Sequence, residues 1–324
     1  TGKYSFLVSP QGLCTSQFTL GETMSNLMDT PELNIKNDGD DQDGGNTVLV
    51  DDVAGWARSE EKVKRMLKAF FSRCRLFNVR LNAKKFQYGS QIRFGGLILN
   101  ELGAVPDDHR MDCVKRYPRP TTKKQVTQFL GVATSLASFS STLLQDCKEL
   151  RKLTKKDTKF SWKDCHEHEF EQIKQRLSDP ALLHHYEAGQ PIAADVDTSI
   201  KGVGWTCYAY DPHKGDPGPT NAKLIRCGSG QGKESWRNYS VIELEATGCL
   251  LTARRLKHYF TANTHAVIRN DHLPLIQAYN GKSLDEVSPR LRRIFMELRD
   301  LGVKLLWCPS GEMQHSDGFS RNPI

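Results

Sequence analysis

Apolar and polar positions alternate most clearly around residue 200, where Ile192-Ala-Ala-Asp195-Val-Asp197-Thr-Ser199 is followed by Gly202-Val-Gly-Trp-Thr-Cys-Tyr-Ala209. Period-two alternation with turn residues between the runs predicts two short strands joined by a tight turn. Further on, the period lengthens. Ser240 and Glu243 make an S-x-x-E capping box, and Leu250, Ala253 and Leu256 continue at helical spacing, so a helix is predicted from Ser240 to about Tyr259. The apolar run Ala266-Val267-Ile268 reads as another strand, ended by Asp271. Upstream, Ser59 caps a helix whose buried side is marked by Val63, Leu67, Phe70, Phe71 and Cys74. Val48-Leu49-Val50 reads as a buried strand that delivers Asp51 and Asp52 to a turn, a geometry suited to metal binding.

These elements divide the chain into residues 1–100 with one strong helix, a mostly helical stretch over 101–187, and an α/β domain over 188–324, with Gly189-Gln190-Pro191 as the hinge. The last domain should place a mixed sheet under helices, so the fold class is α/β, in a multidomain α+β arrangement. No internal repeat is visible.

Composition changes this picture little. A chain of 324 residues with 38% hydrophobic and 26% charged positions fits a soluble protein of two or three domains. The net charge of +7 and pI of 8.9 favour a polyanionic partner, although so modest an excess is equally compatible with none. The basic clusters Lys62 to Lys68, Lys115 to Arg119, Lys152 to Lys156 and Arg290 to Arg293 read either as a path for a nucleic-acid backbone or as solvated helix faces. Nine cysteines without Cys-x-x-Cys spacing point to a reduced, intracellular setting. Cys165-His166-Glu167-His168 sits on an amphipathic helix with Phe170 and Ile173, and an exposed polar face explains it better than zinc does. Asn37 to Gly45 reads as a flexible acidic loop, because a calcium-binding loop starting at Asp38 would need glutamate where Leu49 stands. No signal peptide or membrane span is expected.

Candidate chemistry narrows the field much further. Asp197, Glu245, Asp271 and Asp317 come from different elements and could converge. The capping box separates the two neighbouring glutamates, since Glu243 caps and Glu245 is left to bind. Hard divalent cations take carboxylate oxygens, and two such ions roughly 3.5–4 Å apart clamp the attacking and leaving oxygens of a phosphodiester. The set therefore suits Mg²⁺, with Mn²⁺ as a substitute. Any one of these acids alone would read as an ordinary surface carboxylate.

The stretch from Pro191 to Arg321 resembles the ribonuclease H domain of reverse transcriptases from gypsy-type long-terminal-repeat retrotransposons and retrovirus-like elements. The family's T-D-A-S is similar to Val-Asp197-Thr-Ser, its T-E-K-E-L to Ile-Glu-Leu-Glu245-Ala, its T-D-H-K-P-L to Asn-Asp271-His-Leu-Pro-Leu, and its A-D-A-L-S-R to Ser-Asp317-Gly-Phe-Ser-Arg. Asp195 is a near miss, for the family position is the one before Thr-Ser. One departure is Trp307-Cys-Pro-Ser310 where the family has H-x-P-G; His315 lies nearer Asp317 but not at that position.

Upstream, Phe160-Ser-Trp162 with Phe170, Ile173 and Leu177 resembles the family's tether, and Pro118-Arg-Pro120 with Phe129-Leu-Gly131 its W-P-x-P and F-L-G segments. Ser9-Pro10-Gln11-Gly12-Leu13, Val50-Asp51-Asp52, Leu81-Asn-Ala-Lys84-Lys85-Phe86 and Phe94-Gly95-Gly96 resemble successive polymerase motifs, with Leu49 at the family tyrosine. The resemblance thus implies a partial reverse-transcriptase palm over 1–100, a thumb and connection over 101–187 and a ribonuclease H-like domain over 188–324. It assigns Asp51 and Asp52 to the polymerase metals and Gln11, Gly12, Lys84, Lys85, Phe94 and Gly95 to nucleic-acid contact. It also implies an RNA:DNA hybrid as substrate, a polyprotein or polymerase subunit as partner, and a cytoplasmic, nuclear or virus-like-particle location. In the family the first catalytic palm strand and the fingers precede the P-Q-G motif, so DNA synthesis by these residues alone is not expected. Three readings follow: a nuclease cutting RNA in hybrids, an inactive or domesticated nucleic-acid-binding protein, and a supporting subunit of a complete polymerase.

Overall fold

The computed structural model describes residues 14–30, 33, 44–139, 147–178, 180–187, 189–215, 217, 221–261, 265–281 and 283–313. The chain divides into two compact units, Thr1–Ile98 and Leu99–Ile324.

In the first unit a helix spans Cys14–Met28, and β1 (Gly44–Leu49) pairs antiparallel with β2 (Asp52–Ala57). The helix Glu60–Leu76 begins where expected: the Ser59 hydroxyl accepts from the Lys62 amide, Glu60 and Glu61 face the positive end of the helix dipole, and Arg73 and Arg75 the negative end. Leu27, Met28, Leu33, Met66 and Cys74 form the core, with Val48, Val53 and Phe70 against it. Two expectations are corrected here. Phe71 is exposed and Met66 is buried instead, because the inward stripe runs through Met66, Phe70 and Cys74. The strand before Asp51 is not buried; Val48 packs inward, but Leu49 and Val50 are 48% and 45% exposed, since one helix layer covers one face of the hairpin. The Arg73 guanidinium donates to the Leu27 and Asn26 carbonyls and ties the two helices together. β3 (Gln91–Phe94) turns through Gly95 and Gly96, at φ of 58° and 78°, into β4 (Leu97–Asn100).

The second unit begins with β5 (Gly103–Pro106), which pairs antiparallel with the short β6 (Leu183–His184). Between them lie helices Asp108–Lys115, Lys123–Ser135, Lys148–Leu153 and Asp164–Arg176. Tyr117, Phe129, Phe170 and Trp162 run as a chain of aromatic contacts through this bundle, and Arg119 stacks on Trp162. Glu169 accepts from the Glu149 and Leu150 amides, so its carboxylate caps the start of the neighbouring helix.

A five-stranded mixed sheet follows, in the order β11-β10-β7-β8-β9: β7 (Ile192–Ser199), β8 (Gly202–Tyr210), β9 (Ala222–Gln231), β10 (Val267–Asn270) and β11 (Lys304–Trp307). β10 runs parallel to both β7 and β11, while β7-β8-β9 is an antiparallel meander. Ile192, Ala194 and Val196 face the helix Val241–Arg255, which brings Leu244, Ala246, Cys249, Leu250 and Ala253 to the same core. The helix Pro289–Asp300 adds Leu291, Ile294, Phe295 and Leu298. The fold is thus mixed α/β. Among the described residues, no helix is long and apolar enough to cross a membrane.

Candidate active site

Parallel pairing of β7 with β10 sets two of the acids side by side. Ala193 lies opposite Val267 and Asp195 opposite Arg269, so continuing the register by two residues brings Asp271 alongside Asp197. Both are exposed at the carboxyl ends of their strands, where ligands of open α/β sheets bind. The helix Val241–Arg255 supplies the third. Its capping box is complete: the Glu243 amide donates to the Ser240 hydroxyl, and the Ser240 amide to the Glu243 carboxylate. Glu243 also receives Ser288 Oγ and Arg290. Glu245, two residues on, turns inward and is only 7% exposed.

Asn270 holds that carboxylate. Its Nδ2 donates to Glu245 Oε2 and to the Val196 carbonyl, both at 2.9 Å, while its Oδ1 accepts from the His272 amide at 3.0 Å. One fully buried amide therefore joins β7, the helix and the loop carrying Asp271. Burial pushes the Glu245 carboxyl up to about 7; the charges of Asp197 and Asp271 push the same way, and the Asn270 amide opposes them. Two aspartates beside a half-protonated glutamate, all presenting hard oxygen donors, fit a divalent cation of the Mg²⁺ kind, and Asp197, Glu245 and Asp271 would hold it. The arrangement is open: among the described residues, mutual approach of ligand atoms within 4.8 Å occurs in Glu149, Cys165 and His166 and not in these three carboxylates.

That other cluster has a structural explanation. Glu149 is paired with Lys152, which holds its carboxyl below the usual range. His166 Nδ1 accepts from the Lys163 amide and so closes the start of the helix Asp164–Arg176. A metal-bound imidazole normally donates its second N–H, which this geometry forbids. The exposed polar face expected here is corrected for His166, which is buried alongside Phe170 and Ile173.

Asp195 has a separate role. Its carboxylate accepts from Arg269 Nε (2.7 Å) and Nη2 (2.9 Å) and from the Tyr208 hydroxyl (2.6 Å), and Arg269 donates on to the Pro217 and Glu312 carbonyls. Both its oxygens are thereby engaged in a buried ion pair. Trp307 is opposite Asn270 in the β10–β11 register; its ring is 49% exposed and its Nε1 donates to the Asp271 carbonyl at 3.2 Å.

In the first unit, Val50 and Asp51 form the two-residue turn of the β1–β2 hairpin, with Val50 at φ 61°, and both Asp51 and Asp52 are exposed. Gly95 approaches this hairpin so closely that an added methyl would meet Leu49 Cδ2 at 2.9 Å. Phe94 is half-buried. Lys84 and Lys85 lie exposed on a 3₁₀ turn, Ala83–Lys85, which the Asn82 side chain caps. Asp317, His315, Gln11, Gly12 and most of the acidic loop before Gly44 lie outside the described residues. Sequence reasoning missed Asn270, Arg269 and Gly248; a polar residue at the buried end of an apolar strand was the available signal for the first.

Residues 162–268 match the family profile described as the RNase H-like domain found in reverse transcriptase. Over 99% of its length the chain is 25% identical to the Transposon Tf2-3 polyprotein and 24% identical to the Transposon Tf2-7 polyprotein, both of Schizosaccharomyces pombe, and it spans 23% of their length. It is similar in fold to the foamy viral protease-reverse transcriptase in complex with double-stranded DNA (TM-score 0.69, 16% identity, 92% of this chain and 50% of that one). The same holds for the foamy viral protein in complex with an RNA/DNA hybrid (TM-score 0.65, 17% identity, 93% and 39%). The matched segment is thus similar to the RNase H-like domain of reverse transcriptases, and the chain as a whole to retrotransposon polyproteins.

Proposed function

We propose that this chain hydrolyses the RNA strand of RNA:DNA hybrids endonucleolytically, using Mg²⁺ or Mn²⁺ held by Asp197, Glu245 and Asp271, with Asp317 as the fourth acid. The observation that carries this reading is the strand register, which sets Asp197 and Asp271 side by side next to Glu245, whose buried carboxyl is raised to about 7. When bound, such a cation activates water and stabilises the charge that develops on the phosphate. The chain's own groups set the conditions. Asn270 fixes the Glu245 oxygen, the strand register fixes the two aspartates, and the exposed rim admits a duplex recognised by shape, 2′-hydroxyls and phosphates. The foamy viral complex with an RNA/DNA hybrid supports that substrate class.

For the first unit we assign Asp51 and Asp52 to a polymerase metal site and Lys84, Lys85, Phe94, Gly95, Gln11 and Gly12 to nucleic-acid contact. The working location is intracellular, and a polyprotein or polymerase subunit is the natural partner. The open spacing of the carboxylates favours one second reading, a binding protein without turnover. A labelled RNA:DNA hybrid incubated with the chain and Mg²⁺, beside Asp197→Asn, separates them. Cleavage by the parent and none by the variant is expected, whereas tight binding without cleavage by the parent would leave the binding reading.

A further inference from the structure

Beside Asp271 the chain holds a large aromatic side chain half in water. Trp307 ends β11, its Nε1–H is anchored on the Asp271 carbonyl, and its neighbour Leu306 is also exposed. An indole immobilised by its N–H keeps a free ring face, and little rotamer freedom remains to be lost when something stacks on it. The register places it beside Asn270, whose amide holds Glu245, and its own hydrogen bond reaches the main chain of Asp271, so the exposed indole stands next to two of the candidate acids.

We propose that Trp307 is a substrate-contacting residue that packs against a ribose of the RNA strand next to the cut phosphate and so sets hybrid affinity and preference for RNA. The inference rests on the nuclease reading above. A ribose in the wide, shallow minor groove of an A-like duplex offers a compact apolar face beside its 2′-hydroxyl, which an exposed ring can cover without unstacking a base. Aromatic platforms in single-strand binding are worth about 1–3 kcal/mol per nucleotide, or roughly 5- to 150-fold in affinity.

The test uses the full chain with a fluorescent hybrid, binding measured in Ca²⁺ and cleavage in Mg²⁺. Trp307→Ala should weaken binding and raise KM by roughly 5-fold or more, with kcat changed by less than about 3-fold, and Trp307→Phe should recover most of the loss. Indole emission should be quenched as hybrid is added to the parent, and much less in Trp307→Phe at saturating hybrid. Unchanged affinity in Trp307→Ala, or quenching that persists in Trp307→Phe, would overturn the proposal. So would a fall in kcat with KM intact in Trp307→Phe, because that pattern means the indole only braces the Asp271 main chain. Quenching and lost affinity in a parent chain that cuts nothing would instead keep the contact and remove the nuclease reading. Matching melting curves exclude misfolding of the variants.

Discussion

Glu245 couples the site to pH. Its carboxyl lies at about 7 in the folded chain against an ordinary 4.5, so between those values the folded state holds a proton that the unfolded state has released. Stability from this group is intact below about 4.5 and falls as pH rises through 7, by on the order of 3 kcal/mol in the metal-free protein. Chelator-treated parent chain should therefore lose more stability between pH 5 and 8 than Glu245→Gln, and Mg²⁺ at pH 8 should restore the parent only. Parallel pH profiles for the two proteins would contradict the assignment. Asp195 is held by an ion pair instead. Asp195→Asn strands the buried Arg269 guanidinium and should cost about 3–5 kcal/mol in urea unfolding, whereas Asp197→Asn, at an exposed position, should cost less than about 1 kcal/mol. Alternation alone could not separate these two aspartates, because residues two apart share a strand face. What separates them is Arg269, 74 positions along the chain.

Between elements, the distance from the helix Val241–Arg255 to β7 decides where Glu245 stands. Gly248 sets that distance: a methyl there would lie 1.9 Å from Thr198 Oγ1, on a stiff β-branched side chain next to Asp197. Gly248→Ala gains up to about 1 kcal/mol of helix propensity but overpacks the contact by about 1–3 kcal/mol, so a net loss is expected together with weaker Mg²⁺ binding. Adding Thr198→Ala should return both, in a double-mutant cycle with a coupling of at least about 0.5 kcal/mol; strict additivity would show that the contact does not set the spacing. Elements built from local signals were legible in the sequence. The capping box, the Ser59 helix and the β7–β8 hairpin each carry their own instructions within a few residues. β11 was not legible, since only Leu305 is buried in Lys304–Trp307 and the segment is a strand because β10 offers it a parallel edge. Phe71 and Met66 exchanged places for a related reason: the helix stripe was readable, but its rotation was fixed by Leu27 and Leu33 from outside the window.

Across the whole molecule, part of the positive charge behind the net +7 is answered by ion pairs within the chain. Lys64 pairs with Glu60, Arg119 with Glu167, Lys152 with Glu149, and Arg290 with Glu243 while covering Tyr239, so each basic cluster read from sequence has at least one cation engaged at home. Exposed pairs of this kind contribute little to stability, yet they lower the local positive potential. Lys84 and Lys85 differ: both project from a capped turn into water with no ion pair among the described residues. If they meet phosphates, each should release about one counterion, and the slope of log affinity against log salt should flatten by roughly 1.8 when both become alanine. Hybrid binding by Lys84→Ala/Lys85→Ala, followed by anisotropy from about 50 to 200 mM salt, measures this. An unaltered slope would confine nucleic-acid contact to the second unit and withdraw the phosphate role assigned to the pair.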